Sequence, residues 1–110
     1  MDLLKQIKEH LSSKYGMDES EQIELLTIAL GSIENSLRVI DDKFTEQKSQ
    51  QLLVSTHDLL GTLANIGLED KSKQVYKIES FIKSGNLDKA YDEFCDLKDE
   101  LSTSLNMRIN

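Results

Sequence analysis

The feature that most constrains the fold is an apolar stripe in the first half of the chain. Its members recur three or four residues apart and are Ile23, Leu26, Leu30, Ile33, Leu37, Ile40 and Phe44. This spacing has the period of an α-helix, whereas a half-buried strand would alternate every second residue. Asp18 followed by Glu21 has the form of a capping box, which marks a helix start. The stripe therefore predicts a long amphipathic helix that begins just after Asp18.

Four other segments carry amphipathic helical patterns. They cover residues 2–14, about 46–66, about 69–84, and the stretch that follows Asn86. Gly67 and Gly85 stand where the middle two should end, and Asn86 is a favourable N-cap residue. The sequence has no proline, the residue that most strongly breaks helices. We therefore predict an all-α chain of five helices.

Short connections between the later helices make neighbours antiparallel. Each of the four longer helices has one apolar stripe, so one shared core buries all four. This predicts a single domain over residues 1–110: an up-down four-helix bundle over about 18–106, with an additional short N-terminal helix within 1–16. The stripe could instead form a coiled-coil seam, but it lasts only about three heptads and three more amphipathic helices follow.

Charge and apolar content exclude several classes of function. The formal net charge is −7, which disfavours nucleic acid and anionic membrane surfaces because both attract clustered Lys and Arg. No apolar run approaches the length of a membrane span, and the N-terminal segment lacks the apolar run of a signal peptide. The single cysteine, Cys95, excludes an internal disulfide. These features predict a cytoplasmic protein without nucleic-acid or membrane partners.

The segment THDLLGTLANIGL, residues 56–68, holds the residues that point to chemistry. On a helix with about 100° per residue, His57 lies about 130° from the centre of the core stripe and points outward. Small and apolar residues lie around it, where a solvent-facing helix surface normally carries Lys, Glu or Gln. His10 has no such surroundings and is not expected to have a role.

Gly61 lies four residues after His57, on the same helix face. A glycine in mid-helix costs up to about 1 kcal/mol relative to alanine, but it leaves the flank of the imidazole bare. A partner's reactive group could then approach the ring nitrogen while its surface packs on Leu53, Leu60 and Ala64. Neutral imidazole is a good nucleophile near pH 7 and can form a covalent phosphoramidate.

The segment resembles the histidine-containing phosphotransfer (HPt) domain family of two-component phosphorelays. In that family a small residue precedes the phosphorylated histidine, and an apolar residue, a glycine, small residues and a second glycine follow it. The matching residues are Thr56, His57, Leu59, Gly61, Ala64 and Gly67. The resemblance continues through KIESFIKSGNLDKAYDEF, where the family shows an apolar-Glu pair and then a Gly-Asn or Gly-Asp turn. It covers roughly residues 20–105.

The resemblance implies a phosphorelay intermediate. His57 would accept a phosphoryl group from the aspartate of a response-regulator receiver domain and pass it to another receiver. A hybrid sensor kinase is a further implied partner. The protein would be a covalent phosphohistidine carrier and not a self-sufficient enzyme, with no cofactor and no metal of its own. Leu53, Leu60, Gly61 and Ala64 would form the docking and clearance surface.

One position departs from the family pattern. The family usually has a lysine three residues after the histidine, and this chain has Leu60. Lys83 matches a position where the family often has a basic residue, so it is the candidate for stabilising the phosphate. The departure keeps an alternative open, in which the protein is a helical adaptor that binds receivers without relaying phosphate. A purely structural bundle, dimeric through residues 23–44, is a third interpretation.

Overall fold

A computed structural model describes residues 2–107, and all regular secondary structure in that range is helical. The five helices are α1 (Leu3–Tyr15), α2 (Glu19–Glu46), α3 (Ser49–Asn65), α4 (Glu69–Lys83) and α5 (Leu87–Ser104). The all-α prediction is confirmed for this range. The predicted domain extends to residues 1 and 108–110, which lie outside the described residues.

The helix ends follow local capping chemistry. Asp18 accepts a hydrogen bond from the Glu21 backbone N–H at 2.8 Å, and Glu21 accepts one from the Asp18 N–H at 3.2 Å. This reciprocal pair confirms the capping box at the start of α2. Asn86 likewise caps α5 by accepting from the Lys89 N–H. The predicted start of the third helix near Glu46 is wrong by a few residues, because α2 continues to that residue and Gln47, with φ of 56°, turns the chain.

The core is built from the inner stripes of all five helices, and α1 contributes Leu3, Ile7 and Leu11 to it. α2 packs on α3, α3 on α4 and α4 on α5, and α2 also meets α5. The predicted stripe of α2 is buried from Ile33 to Phe44, but Ile23 is 51% exposed and Leu26 and Leu30 are only half-buried. α2 has 28 residues and α3 has 17, so α3 cannot cover the whole of α2. α1 and α5 also contact α2, but they leave Ile23 exposed.

The N-terminal helix docks on the turn between α3 and α4. The Gln6 side-chain amide donates a hydrogen bond to the Gly67 carbonyl at 3.0 Å. The His10 ring lies against Gly67, whose φ is 85° and where a Cβ would overlap that ring. His10, for which no functional role is expected, thus packs α1 onto the turn with its ring. Gly67 is required here both for its left-handed conformation and for the space.

Among residues 2–107, α1 to α5 include no helix with the length and apolar character that a membrane crossing needs.

Candidate functional site

His57 lies in the middle of α3 and its side chain is 77% exposed. The inner face of that helix buries Leu52, Leu59 and Leu63, together with the Thr56 hydroxyl, which donates to the Leu53 carbonyl at 3.0 Å. The ring emerges on the other side, near Val54, which is 63% exposed. The outward orientation predicted from the helical wheel is confirmed.

A buried carboxylate from α4 lies beside the ring. Glu79 is 6% exposed, and its Oε1 is 3.7 Å from His57 Nδ1. That oxygen has no hydrogen-bond partner among the described residues. A buried carboxylate without a partner is costly, and a donor nearby offsets part of that cost. His57 Nδ1, at 3.7 Å, is beyond hydrogen-bond distance, but when it carries a proton it can become such a donor after a small movement of the ring.

This arrangement distinguishes the two ring nitrogens. Nδ1 faces Glu79, so Nε2 lies on the opposite edge of an exposed ring. A carboxylate beside one nitrogen favours the tautomer that carries the proton there. The remaining nitrogen then keeps its lone pair. The geometry therefore leaves Nε2 as the nucleophilic atom that a partner can reach.

His57 lines a shallow depression of about 320 Å³ between α3 and α4. Lys83, one turn beyond Glu79, lines the same depression and is its one cation, whereas Asp58 adds a second carboxylate. The structure thus brings the predicted residues His57, Leu53 and Lys83 together. The balance of charge is negative, so the depression by itself offers little attraction for a phosphate dianion.

The other predicted site residues lie on the following turns of α3 and do not line this depression. Gly61 has open space where a side chain would be, with no atom within 4 Å of an added Cβ. Ala64 is exposed, and Leu53 and Leu60 are half-buried against the core. Together with Val54 they form a surface of small and apolar side chains next to the imidazole. We call these residues the α3 face: Leu53, Val54, His57, Leu60, Gly61 and Ala64.

Glu79 is the site residue that sequence reasoning missed. A signal for it exists, because Glu79 follows Val75 by four residues and precedes Ile82 by three. Both neighbours are buried, so the wheel places a carboxylate inside the apolar stripe of α4. A charged residue in such a stripe is rarely buried unless it has a partner.

No cluster of three or more His, Cys, Asp or Glu side chains suitable for a metal ion occurs within residues 2–107.

No family model, no curated protein and no solved structure matches this chain.

Proposed function

We propose that this protein is a phosphorelay intermediate that carries a phosphoryl group on His57. The observation that carries the proposal is the exposed imidazole whose Nδ1 faces the buried Glu79 carboxylate at 3.7 Å. A buried carboxylate is costly, so it is not expected beside a surface histidine that has no function. The resemblance of residues 56–68 to the HPt motif supports the same function.

The chemistry is a transfer between two acceptors. The Nε2 lone pair of His57 attacks the phosphorus of a receiver's aspartyl phosphate, the P–O bond to the aspartate breaks, and the aspartate leaves as a carboxylate. The new N–P bond leaves the ring with a proton on Nδ1 and a positive charge, which Glu79 stabilises. The aspartate of a second receiver then attacks the same phosphorus, and neutral imidazole leaves.

The proposed architecture is an up-down four-helix bundle with α1 as an additional helix, in a cytoplasmic protein. Packing of each consecutive pair from α2 to α5 supports it, as do the short turns at Gln47–Lys48 and Ser84–Asn86. In this arrangement α3 and α4 pack against each other. That places the imidazole and Glu79 on adjoining helices.

The partner in this proposal is a receiver domain that docks on the α3 face. Leu53, Leu60 and Ala64 would supply a small apolar contact, and the open flank at Gly61 would let the aspartyl phosphate reach Nε2. A small apolar centre with a polar rim suits a transient complex. The receiver would contribute its own aspartate and most of the charge that activates the phosphoryl group.

Stabilisation of the phosphohistidine would fall to Lys83. Its exposed side chain lines the same depression as His57 and forms no ion pair within the described residues. An ammonium on a flexible stem can turn toward a phosphate. Leu60 offers no charge, and that position favours a second candidate function, a receiver-binding adaptor that carries no phosphate.

The test is incubation with a receiver domain that carries a radiolabelled aspartyl phosphate, followed by electrophoresis. Phosphohistidine is labile in acid and stable in base, whereas aspartyl phosphate is lost in base. A base-stable label on this protein is expected. Binding of the receiver without any label would support the adaptor, and absence of both would contradict both functions.

A further inference from the structure

A second cavity lies beside the N-terminal helix. It has a volume of about 300 Å³ and is bordered by the start of α1, the start of α4 and the end of α5. Leu3 and Leu68, both buried, form an apolar part. Gln6, Asp70, Lys71 and Glu100 supply polar groups. None of these residues belongs to the α3 face.

The one cation that lines the cavity is already paired. Lys71 Nζ donates a hydrogen bond to Glu100 Oε2 across the α4–α5 contact. The Lys71 ammonium holds the pKa of the Glu100 carboxyl below its usual range, so that carboxylate stays ionised and keeps its partner. Because Glu100 neutralises the Lys71 ammonium, Lys71 would attract an anionic ligand only weakly.

The remaining polar groups of the cavity are mostly acceptors, and the Ser104 hydroxyl, which also lines it, can accept as well as donate. The Gln6 amide uses its N–H to hold the Gly67 carbonyl, and its Oε1 is buried with no hydrogen-bond partner among residues 2–107. The Asp70 carboxylate is exposed and takes part in no ion pair within the same range. Leaving a buried acceptor without a donor is unfavourable. The cavity thus has more acceptors than free donors, and its two carboxylates and one ammonium leave an excess of negative charge.

We propose that this cavity binds a small primary alkylammonium ion. An ammonium group carries three donors and no acceptor, which suits the Gln6 oxygen together with the Asp70 carboxylate. A short alkyl chain would lie against Leu3 and Leu68. The volume is at the lower end of the range for ligand pockets, so it fits a chain of a few carbons.

Occupation of the cavity would fasten α1 to the domain. Gln6 belongs to α1, whereas Asp70 belongs to α4, so one ammonium would join the two helices. A ligand that binds only the docked form stabilises that form. The proposal concerns α1 and does not rest on phosphate transfer at His57.

The experiment is an NMR titration of the full chain with n-butylammonium chloride, at constant ionic strength. We expect millimolar affinity, shifts confined to the backbone amides of the lining residues, and slower amide exchange in α1. The neutral comparison is 1-butanol, which has the same chain and a hydroxyl in place of the ammonium. Equal binding of 1-butanol would overturn the proposal, because the site would then recognise only the alkyl chain.

The matched variants are Asp70→Asn and Glu69→Gln. They remove one charge each from adjacent positions in the first turn of α4, but only Asp70 lines the cavity. We expect Asp70→Asn to weaken butylammonium binding at least fivefold and Glu69→Gln to change it less than twofold. Equal effects of the two variants, or no shifts at 50 mM butylammonium (about the weakest binding that such a titration resolves), would contradict the site.

Discussion

His57 Nδ1 lies 3.7 Å from Oε1 of Glu79, a carboxylate that is buried while the imidazole is exposed. The pair joins α3 to α4 and gives the two ring nitrogens different surroundings. The buried carboxylate lies on the side of Nδ1, beyond hydrogen-bond distance, and Nε2 lies on the other edge of the exposed ring.

Glu79→Gln should slow phosphate acceptance while leaving the fold intact. Glutamine has the same shape but no charge, so the preference for a proton on Nδ1 and the stabilisation of the charged phosphohistidine both decline. We expect a loss of about 10-fold to 100-fold in the transfer rate, typical for removal of a group that orients a reactive imidazole. Nitrogen NMR of the ring should show a smaller fraction of the Nδ1–H tautomer.

The control for this change is Glu93→Gln, which removes a carboxylate paired with Lys77 on another part of the surface. Its transfer rate should match that of the unmodified protein. Equal rates in all three proteins would show that Glu79 has no part in the chemistry.

The sequence predicted the helices well, because capping and periodicity are local. Asp18 and Glu21 capped α2 as expected, and Asn86 capped α5. The wheel also placed His57 outward. Local patterns could not predict which parts of a helix its neighbours would bury. Ile23 fits the stripe but is exposed, and the periodicity of α2 alone does not indicate this.

The same limitation applies to the site. Glu79 and His57 are 22 residues apart in the sequence, and only the packing of α4 on α3 brings them together. Likewise, the contact between His10 and Gly67 depends on where α1 docks. No spacing rule within one helix could predict either contact.

Gly61 should matter for access and not for the fold. Since an added Cβ meets no atom within 4 Å, Gly61→Ala should stabilise the protein by up to about 1 kcal/mol. Gly61→Gln should keep the helix but slow phosphate acceptance, because a long side chain would cover the flank of the ring. Quenched time-course assays at equal receiver concentration would measure the rate of phosphoryl transfer to each variant.

Gly31 provides a matched control for that substitution. It also lies inside a helix, in α2, with open space at its Cβ. Gly31→Gln should stabilise the fold as Gly61→Gln does but should leave the transfer rate unchanged. If Gly61→Gln accepts phosphate as fast as Gly31→Gln, clearance does not explain Gly61.

Leu60→Lys should raise the fraction of phosphohistidine at equilibrium. The lysine stem can follow the apolar surface and bring its ammonium toward the phosphate. A well-placed charged contact contributes about 1.5–3 kcal/mol, which would change the ratio of phosphorylated to free protein by more than about tenfold. Receiver affinity should fall or stay level, because an apolar docking residue is lost. Leu60→Met, which adds no charge, is the control, and an equal gain in that variant would argue against an electrostatic effect.

The ion pair between Lys71 and Glu100 should appear in the acid dependence of stability. The hydrogen bond from Lys71 lowers the pKa of Glu100 in the folded protein. A lowered pKa stabilises the fold above the ordinary carboxyl range, and this contribution is lost as pH falls through the folded value. Lys71→Met should therefore lose less stability than the unmodified protein between about pH 5 and about pH 3, as measured by urea midpoints. The difference should be small and should shrink in salt, because Glu100 is 44% exposed.

The most direct measurement of the central claim compares three proteins with one phosphorylated receiver: the unmodified chain, His57→Gln and His10→Gln. Because His57 is exposed, its substitution should change the free energy of unfolding by no more than about 0.5 kcal/mol, which urea unfolding would verify first. We expect base-stable label on the unmodified chain and on His10→Gln, and none on folded His57→Gln. Label that persists in His57→Gln, or an unmodified chain that binds the receiver and never carries label, would contradict the central claim.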